Sequence, residues 1–227
     1  MMFNRIFIAY SCLFVLSGCM YNAEPMPQIT SSSSYKSIET PSSKIVQPSP
    51  KPLISPKGRS ESTGENVSQD WQPPSSVEKK WTAIIIHHSG TKNGDTAIFD
   101  KWHRENNHWQ GVGYDFVIGN GSDTSDGQVE VTFRWQKQIT GAHVGGTPNN
   151  WANKDGIGIC LVGDFNQTRP TAAQMQSLVK LVRFLQNRYG IPKSKIYGHN
   201  TTPGAGTITD CPGKNFPMGW LKSQVEP

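Results

Sequence analysis

Apolar positions are spread unevenly along this chain, and their spacing divides it into three parts. After Arg5 the chain runs apolar from Ile6 to Leu16, a stretch too short to span a bilayer comfortably as a mature helix. From Met20 to about Ser75 it is dense in Ser and Pro, with SSSS and PSPKP, and shows almost no apolar periodicity. Such a segment cannot bury enough surface to offset its ordering entropy, so a disordered tether is expected. Beyond it the periodic patterns begin. Thr82 to His87 alternates as a strand, with Ala83, Ile85 and His87 on one side and Ile84, Ile86 and His88 on the other. Thr96 to about Asn106 reads as a helix with Asp95 as N-cap and Ile98, Phe99 and Trp102 on one face. Tyr114 to Ile118 and Val129 to Arg134 are predicted short strands around the turn GNGSDTSDG, and Ile157 to Val162 is apolar on both faces, as a central strand should be. Thr171 and Gln174 form a capping box for a helix whose stripe is Met175, Leu178, Val179, Val182 and Leu185, ended by Gly190 and Pro192. Ile196 to Gly198 is a short strand, and a last helix is predicted around Pro217 to Val225. Strands interleaved with helices predict an α/β domain with a central mixed sheet flanked by helices.

Composition adds boundaries and partners. The chain has 227 residues, 35% hydrophobic and 17% charged, enough for one ordinary domain with additions. The first residues end in Leu16-Ser17-Gly18-Cys19, which resembles the bacterial lipoprotein signal. That resemblance implies a signal peptide over 1–18, lipidation of Cys19, and a linker over 19–75 ahead of a domain at 76–227. Met20 after the cysteine is similar to lipoproteins sent to the outer membrane of Gram-negative cells, so the expected place is the periplasmic face of that membrane. As a flexible coil the tether would reach on the order of 40 Å. It carries five basic and five acidic residues, so, with Arg5 also set aside, about +4 of the whole-chain +5 falls on the domain. This mildly favours an anionic partner. No run of Lys and Arg is interleaved with aromatics, so nucleic acid is not an expected partner.

Three residues raise a question of chemistry. His87 and His199 each stand where a predicted strand ends, and Cys211 follows twelve residues after His199. If the two strands are neighbours, two imidazoles and a thiolate converge into a zinc set with a fourth position open for water. The competing readings are polar strand termini for the histidines and a Cys160–Cys211 disulfide in an oxidising compartment. Cys160, on an apolar strand, also reads simply as a core cysteine.

Six segments carry more weight together than apart: IIIHHSG, WHRENNHWQGVGYDFVIGNG, GAHVGG, DGIGICLVGDF, YGHN and TDCPG. In that order, over about residues 80–215, they resemble the zinc N-acetylmuramoyl-L-alanine amidases of the type-2 family, the group that contains the peptidoglycan recognition proteins and related phage lysozymes. The resemblance implies Zn2+ held by His87, His199 and Cys211, with Tyr114 and Thr209 as catalytic residues. It implies hydrolysis of the amide between N-acetylmuramic acid and L-alanine, and peptidoglycan or its muropeptide fragments as the partner of a monomer. His88, on the other strand face, is left for packing or support. His143, between glycines, would border the peptide groove, and Trp109 would be available to stack on a sugar or peptide. His103 and His108 read as solvated helix-end residues. Some bacterial relatives carry Glu in the strand where this chain has Cys160, so the resemblance names no carboxylate base here and gives more of the proton work to Tyr114 or the zinc hydroxide. The rival expectation is a peptidoglycan-binding module without hydrolysis; in non-catalytic relatives the ligand cysteine is typically replaced, and here it is Cys211.

Overall fold

The computed structural model describes residues 68–226. The expected signal peptide, Cys19 and most of the expected linker lie outside the described residues.

Chain order gives β1 (Ala83–His88), α1 (Thr96–Asn107), β2 (Phe116–Ile118), β3 (Val129–Val131), α2 (Phe133–Lys137), α3 (Trp151–Asp155), β4 (Gly156–Leu161), α4 (Ala172–Tyr189), β5 (Ile196–Gly198) and α5 (Met218–Ser223). The five strands form one sheet in the order β3-β2-β4-β1-β5, parallel except for the antiparallel β2–β3 pair. This is the expected mixed α/β sheet. β1 and β4 sit inside it with every residue but His88 buried, which is why both read as nearly continuous apolar runs.

The two sheet faces differ in what they pack. Ile84, Ile86, Ile157, Ile159 and Leu161 share the large core with Leu178, Leu181, Val182 and Leu185 of α4. Ala83 and Ile85, on the opposite face, join a small cluster with Val144 and Ala152. The thick face anchors the sheet; the thin face leaves room at its carboxyl edge for polar groups. α4 begins as its sequence requires: Thr171 Oγ1 accepts from Gln174 N, and Gln174 Oε1 accepts from Thr171 N. Gln174 is itself buried and its amide donates to the carbonyls of Ile118 and Val162 at the ends of β2 and β4. Trp71 is also buried, against Phe184 of α4, and its carbonyl accepts from Trp135 Nε1, so a residue of the expected linker packs on the domain.

Two predicted strands are shorter than expected. The strand expected over Val129 to Arg134 ends at Val131, because Thr132 Oγ1 accepts from Arg134 N and caps α2. The strand expected from Tyr114 begins at Phe116, leaving Tyr114 just ahead of the sheet edge.

Candidate metal centre

Strand register explains the pair of histidines. β1 and β5 pair with Ile86 opposite Gly198, so His87 and His199, one residue further on each, leave the sheet side by side. Register with β4 puts Cys160 opposite His87. Cys160, His87 and His199 therefore form a row across the carboxyl ends of three parallel strands, the usual place for a site in such a sheet. Cys211 returns to this row from the loop after β5. Asn200 N donates to the Cys211 carbonyl at 2.7 Å, and His88 N reaches Cys211 Sγ at 3.4 Å.

The ligand atoms of His87, His199 and Cys211 all lie within 4.8 Å of one another. Cys211 Sγ is 3.6 Å from His87 Nδ1. Zn–N and Zn–S bonds of about 2.0 and 2.3 Å at a tetrahedral angle would place N and S about 3.5 Å apart, so this pair stands close to the spacing the metal demands. His199 Nε2 is buried without a hydrogen-bond partner, a costly state for a ring nitrogen. The donor set therefore fits a zinc ion. Burial, reinforced by His143 and His199, holds His87 well below the ordinary imidazole range, and burial also lowers His199. Both rings are thus neutral and carry a free lone pair. Burial pushes the Cys211 thiol up to about 12, against the opposing His88 N–H. A metal cation at this point would hold it as the thiolate.

Around this trio an aromatic ladder runs outward. The Tyr114 ring lies 5.2 Å from His87, His103 lies 5.8 Å from Tyr114, and Trp109 lies 4.8 Å from His103. Burial raises the Tyr114 phenol well above its usual range, with the thiols of Cys160 and Cys211 adding to it, so the hydroxyl keeps its proton. Trp109 ends the ladder 40% exposed. The expectation that His103 is a solvated helix-end residue is corrected: its ring is buried, and its Nδ1 accepts from Gly113 N at 3.1 Å. Phe99 and His103, spaced i and i+4, form the inward face of α1. Burial, with Arg134 nearby, lowers His103 to about 4. His108 is exposed and supplies the left-handed C-cap of α1 at φ 55°.

The remaining residues take distinct places. Thr209 Oγ1 accepts from Cys211 N at 3.1 Å, which leaves its own hydroxyl proton to donate elsewhere. His88 Nδ1 accepts from Phe165 N at 3.0 Å, the supporting place expected for it. His143 is buried, with Nδ1 3.1 Å from His87 Nε2, on the side of His87 away from Cys211. Cys160 and Cys211 are both free, which rules out the disulfide alternative in this structure. Burial raises the Cys160 thiol well above its usual range, so it keeps its proton.

Comparison with known proteins points the same way. The family described as N-acetylmuramoyl-L-alanine amidase matches residues 77–214. Human N-acetylmuramoyl-L-alanine amidase is 30% identical over 115 residues, 50% of this chain and 17% of the human protein. Peptidoglycan-recognition protein 2 of Holotrichia diomphalia is 29% identical over 140 residues, 57% of this chain and 66% of that protein. The chain thus spans less than two thirds of either curated relative. The solved structure of N-acetylmuramoyl-L-alanine amidase LysC from Clostridium intestinale URNW superposes with a TM-score of 0.54 at 30% identity, covering 70% of this chain and 96% of that one.

Proposed function

Since this chain belongs to the N-acetylmuramoyl-L-alanine amidase family, we propose that it is a zinc-dependent peptidoglycan hydrolase that cuts the amide between N-acetylmuramic acid and L-alanine. The observation that carries this reading is the convergence of His87, His199 and Cys211 within 4.8 Å on the carboxyl edge of parallel strands. Zinc, when bound, would supply Lewis acidity, polarising the amide carbonyl and lowering the pKa of water toward about 7.

The chain's own residues supply the rest. His87 and His199, held neutral by burial, offer lone pairs with no proton to lose first. The Thr209 hydroxyl, already accepting from Cys211 N, has its one proton left to give to a developing oxyanion, the kind of donor that lowers such a barrier. Tyr114 keeps its phenolic proton across the neutral range and orients the attacked carbonyl or its water. In place of the carboxylate this chain lacks at Cys160, it gives that proton to the departing amide nitrogen while taking one back from the attacking water. Trp109, exposed at the outer end of the ladder, stacks on the glycan or stem peptide, with peptidoglycan or its muropeptide fragments as substrate. We place the chain as a monomer lipidated at Cys19, tethered through the expected 19–75 linker to the periplasmic face of an outer membrane, with 76–227 as the catalytic domain on which Trp71 at the end of that linker packs.

The test incubates the full-length chain, purified in detergent, with isolated peptidoglycan and scores released products by mass spectrometry. Peptides with a free N-terminal L-alanine, abolished by chelator and by Cys211→Ala, are the expected result. Wall that is bound but never cut, even with added zinc, would refute hydrolysis and leave a recognition module.

A further inference from the structure

We propose that His143 is a positioning residue. By accepting a hydrogen bond from His87 Nε2 at its own Nδ1, it locks His87 in the tautomer whose Nδ1 lone pair faces Cys211. The inference rests on the metal-site reading above and goes beyond it. His87 Nε2 lies 3.1 Å from His143 Nδ1, while His87 Nδ1 lies 3.6 Å from Cys211 Sγ. One proton must sit between the two imidazoles. If it belonged to His143 Nδ1, His87 would carry its own proton at Nδ1, the atom turned toward the thiol, and that nitrogen could not ligate. If it belongs to His87 Nε2, the lone pair at Nδ1 is free. Ligation and the 3.1 Å contact are compatible only in the second arrangement, in which His143 is the acceptor and holds its proton at Nε2. That nitrogen is buried and closes no hydrogen bond.

The surroundings are shaped for this ring. A Cβ on Gly158 would stand 2.6 Å from His143 Cδ2, and one on Gly141 would stand at the same 2.6 Å, so two glycines make a slot only an imidazole's thickness wide. The backbone is pinned as well. Asn153 Oδ1 accepts from both His143 N and Val144 N, and Asn153 Nδ2 donates to the Val144 carbonyl. A side chain 7% exposed, clamped by two glycines and one asparagine behind the ring of a metal-facing histidine, is placed to orient that ring. It is poorly placed to touch a polymer.

The experiment measures zinc affinity, not activity. The full-length apo-protein in detergent competes with a chromogenic chelator for zinc, for wild type, His143→Ala and His143→Asn, with apo-state melting recorded for each. Loss of the partner of a metal-ligating histidine should weaken zinc by about 10–100-fold in His143→Ala. His143→Asn, whose Oδ1 falls near the place of Nδ1, should recover most of that loss. Equal affinity in wild type and His143→Ala would overturn the proposal while leaving the metal site standing. A wild type that binds no zinc would instead remove the reading on which it rests. Should His143→Ala fail to fold, histidine-selective 15N spectra of the zinc-loaded wild type decide: a proton on His87 Nε2 is expected, and one on His87 Nδ1 would overturn the proposal.

Discussion

Asp115 lies beside Tyr114 and its carboxyl is wholly buried. Its Oδ2 accepts from Gly158 N at 2.8 Å, its main-chain N–H donates to the Gly158 carbonyl, and its Oδ1 has no partner. These bonds hold Tyr114 against the central strand. Burial outweighs the Gly158 N–H and the charges of Lys79 and Arg134, and raises the carboxyl from 3.8 to about 7. The sign follows from proton counts. Between pH about 4 and about 7 the folded chain keeps a proton that the unfolded chain has lost, so stability falls as pH rises through that window. At about 1.4 kcal/mol per pH unit the loss reaches up to about 4 kcal/mol, and above pH 7 it levels off. Asp115→Asn removes the titration while its amide oxygen still accepts from Gly158. Urea unfolding of both proteins at pH 4.5, 6 and 8 should give nearly equal stabilities at the acid end. The variant should become the more stable by about 3–4 kcal/mol at pH 8. Other groups titrate equally in both and cancel in the difference. Parallel curves, or a wild type that gains on the variant with rising pH, would refute the reasoning.

Three further outcomes are expected. Tyr114→Phe should lower kcat on muropeptides by about 100-fold or more with zinc content unchanged; an unaltered rate would remove the phenol from the reaction. Trp109→Ala removes an exposed ring at the end of the ladder, so the KM for intact wall should rise several-fold while zinc affinity holds, as co-sedimentation and metal titration would show. Gln174→Ala deletes half of a capping box and the amide that serves two buried carbonyls. Its cost should be about 2–3 kcal/mol in denaturant midpoints, with kcat retained.

Much of the fold could be read from short-range pattern, and where it could not, the cause is local competition or length. The Thr171–Gln174 spacing foretold both bonds of the capping box because both partners lie within one turn. The alternation of Val129, Val131 and Phe133 continues the strand period past the point where the strand stops. Thr132 takes the Arg134 N–H into its own hydroxyl and turns the chain into α2 before the sheet can claim it. α3 is five residues long, too short for a helical period to declare itself.

The site was legible to the depth that strand ends reveal. His87 and His199 could be suspected from their places after apolar runs, but their adjacency depends on Ile86 pairing with Gly198, a contact across more than a hundred residues that no local spacing encodes. His103 escapes the apolar pattern for a different reason. Apolar spacing marks Ile98, Phe99 and Trp102 as the inward face of α1, whereas the observed buried face is Phe99 with His103. An imidazole one turn from a buried phenylalanine was the available signal. Once inside, it receives the Gly113 N–H and fills the space between Trp109 and Tyr114. His143 is buried in the same way, with its ring against His87 and its backbone held by Asn153. Burying two neutral imidazoles costs free energy that an apolar side chain would not. Each offsets part of that cost by a hydrogen bond at Nδ1 to the group it supports, Gly113 ahead of Tyr114 or the ring of His87. These two rings therefore brace, from outside the trio that strand register and the Cys211 loop bring together, the ring of His87 and the backbone ahead of Tyr114.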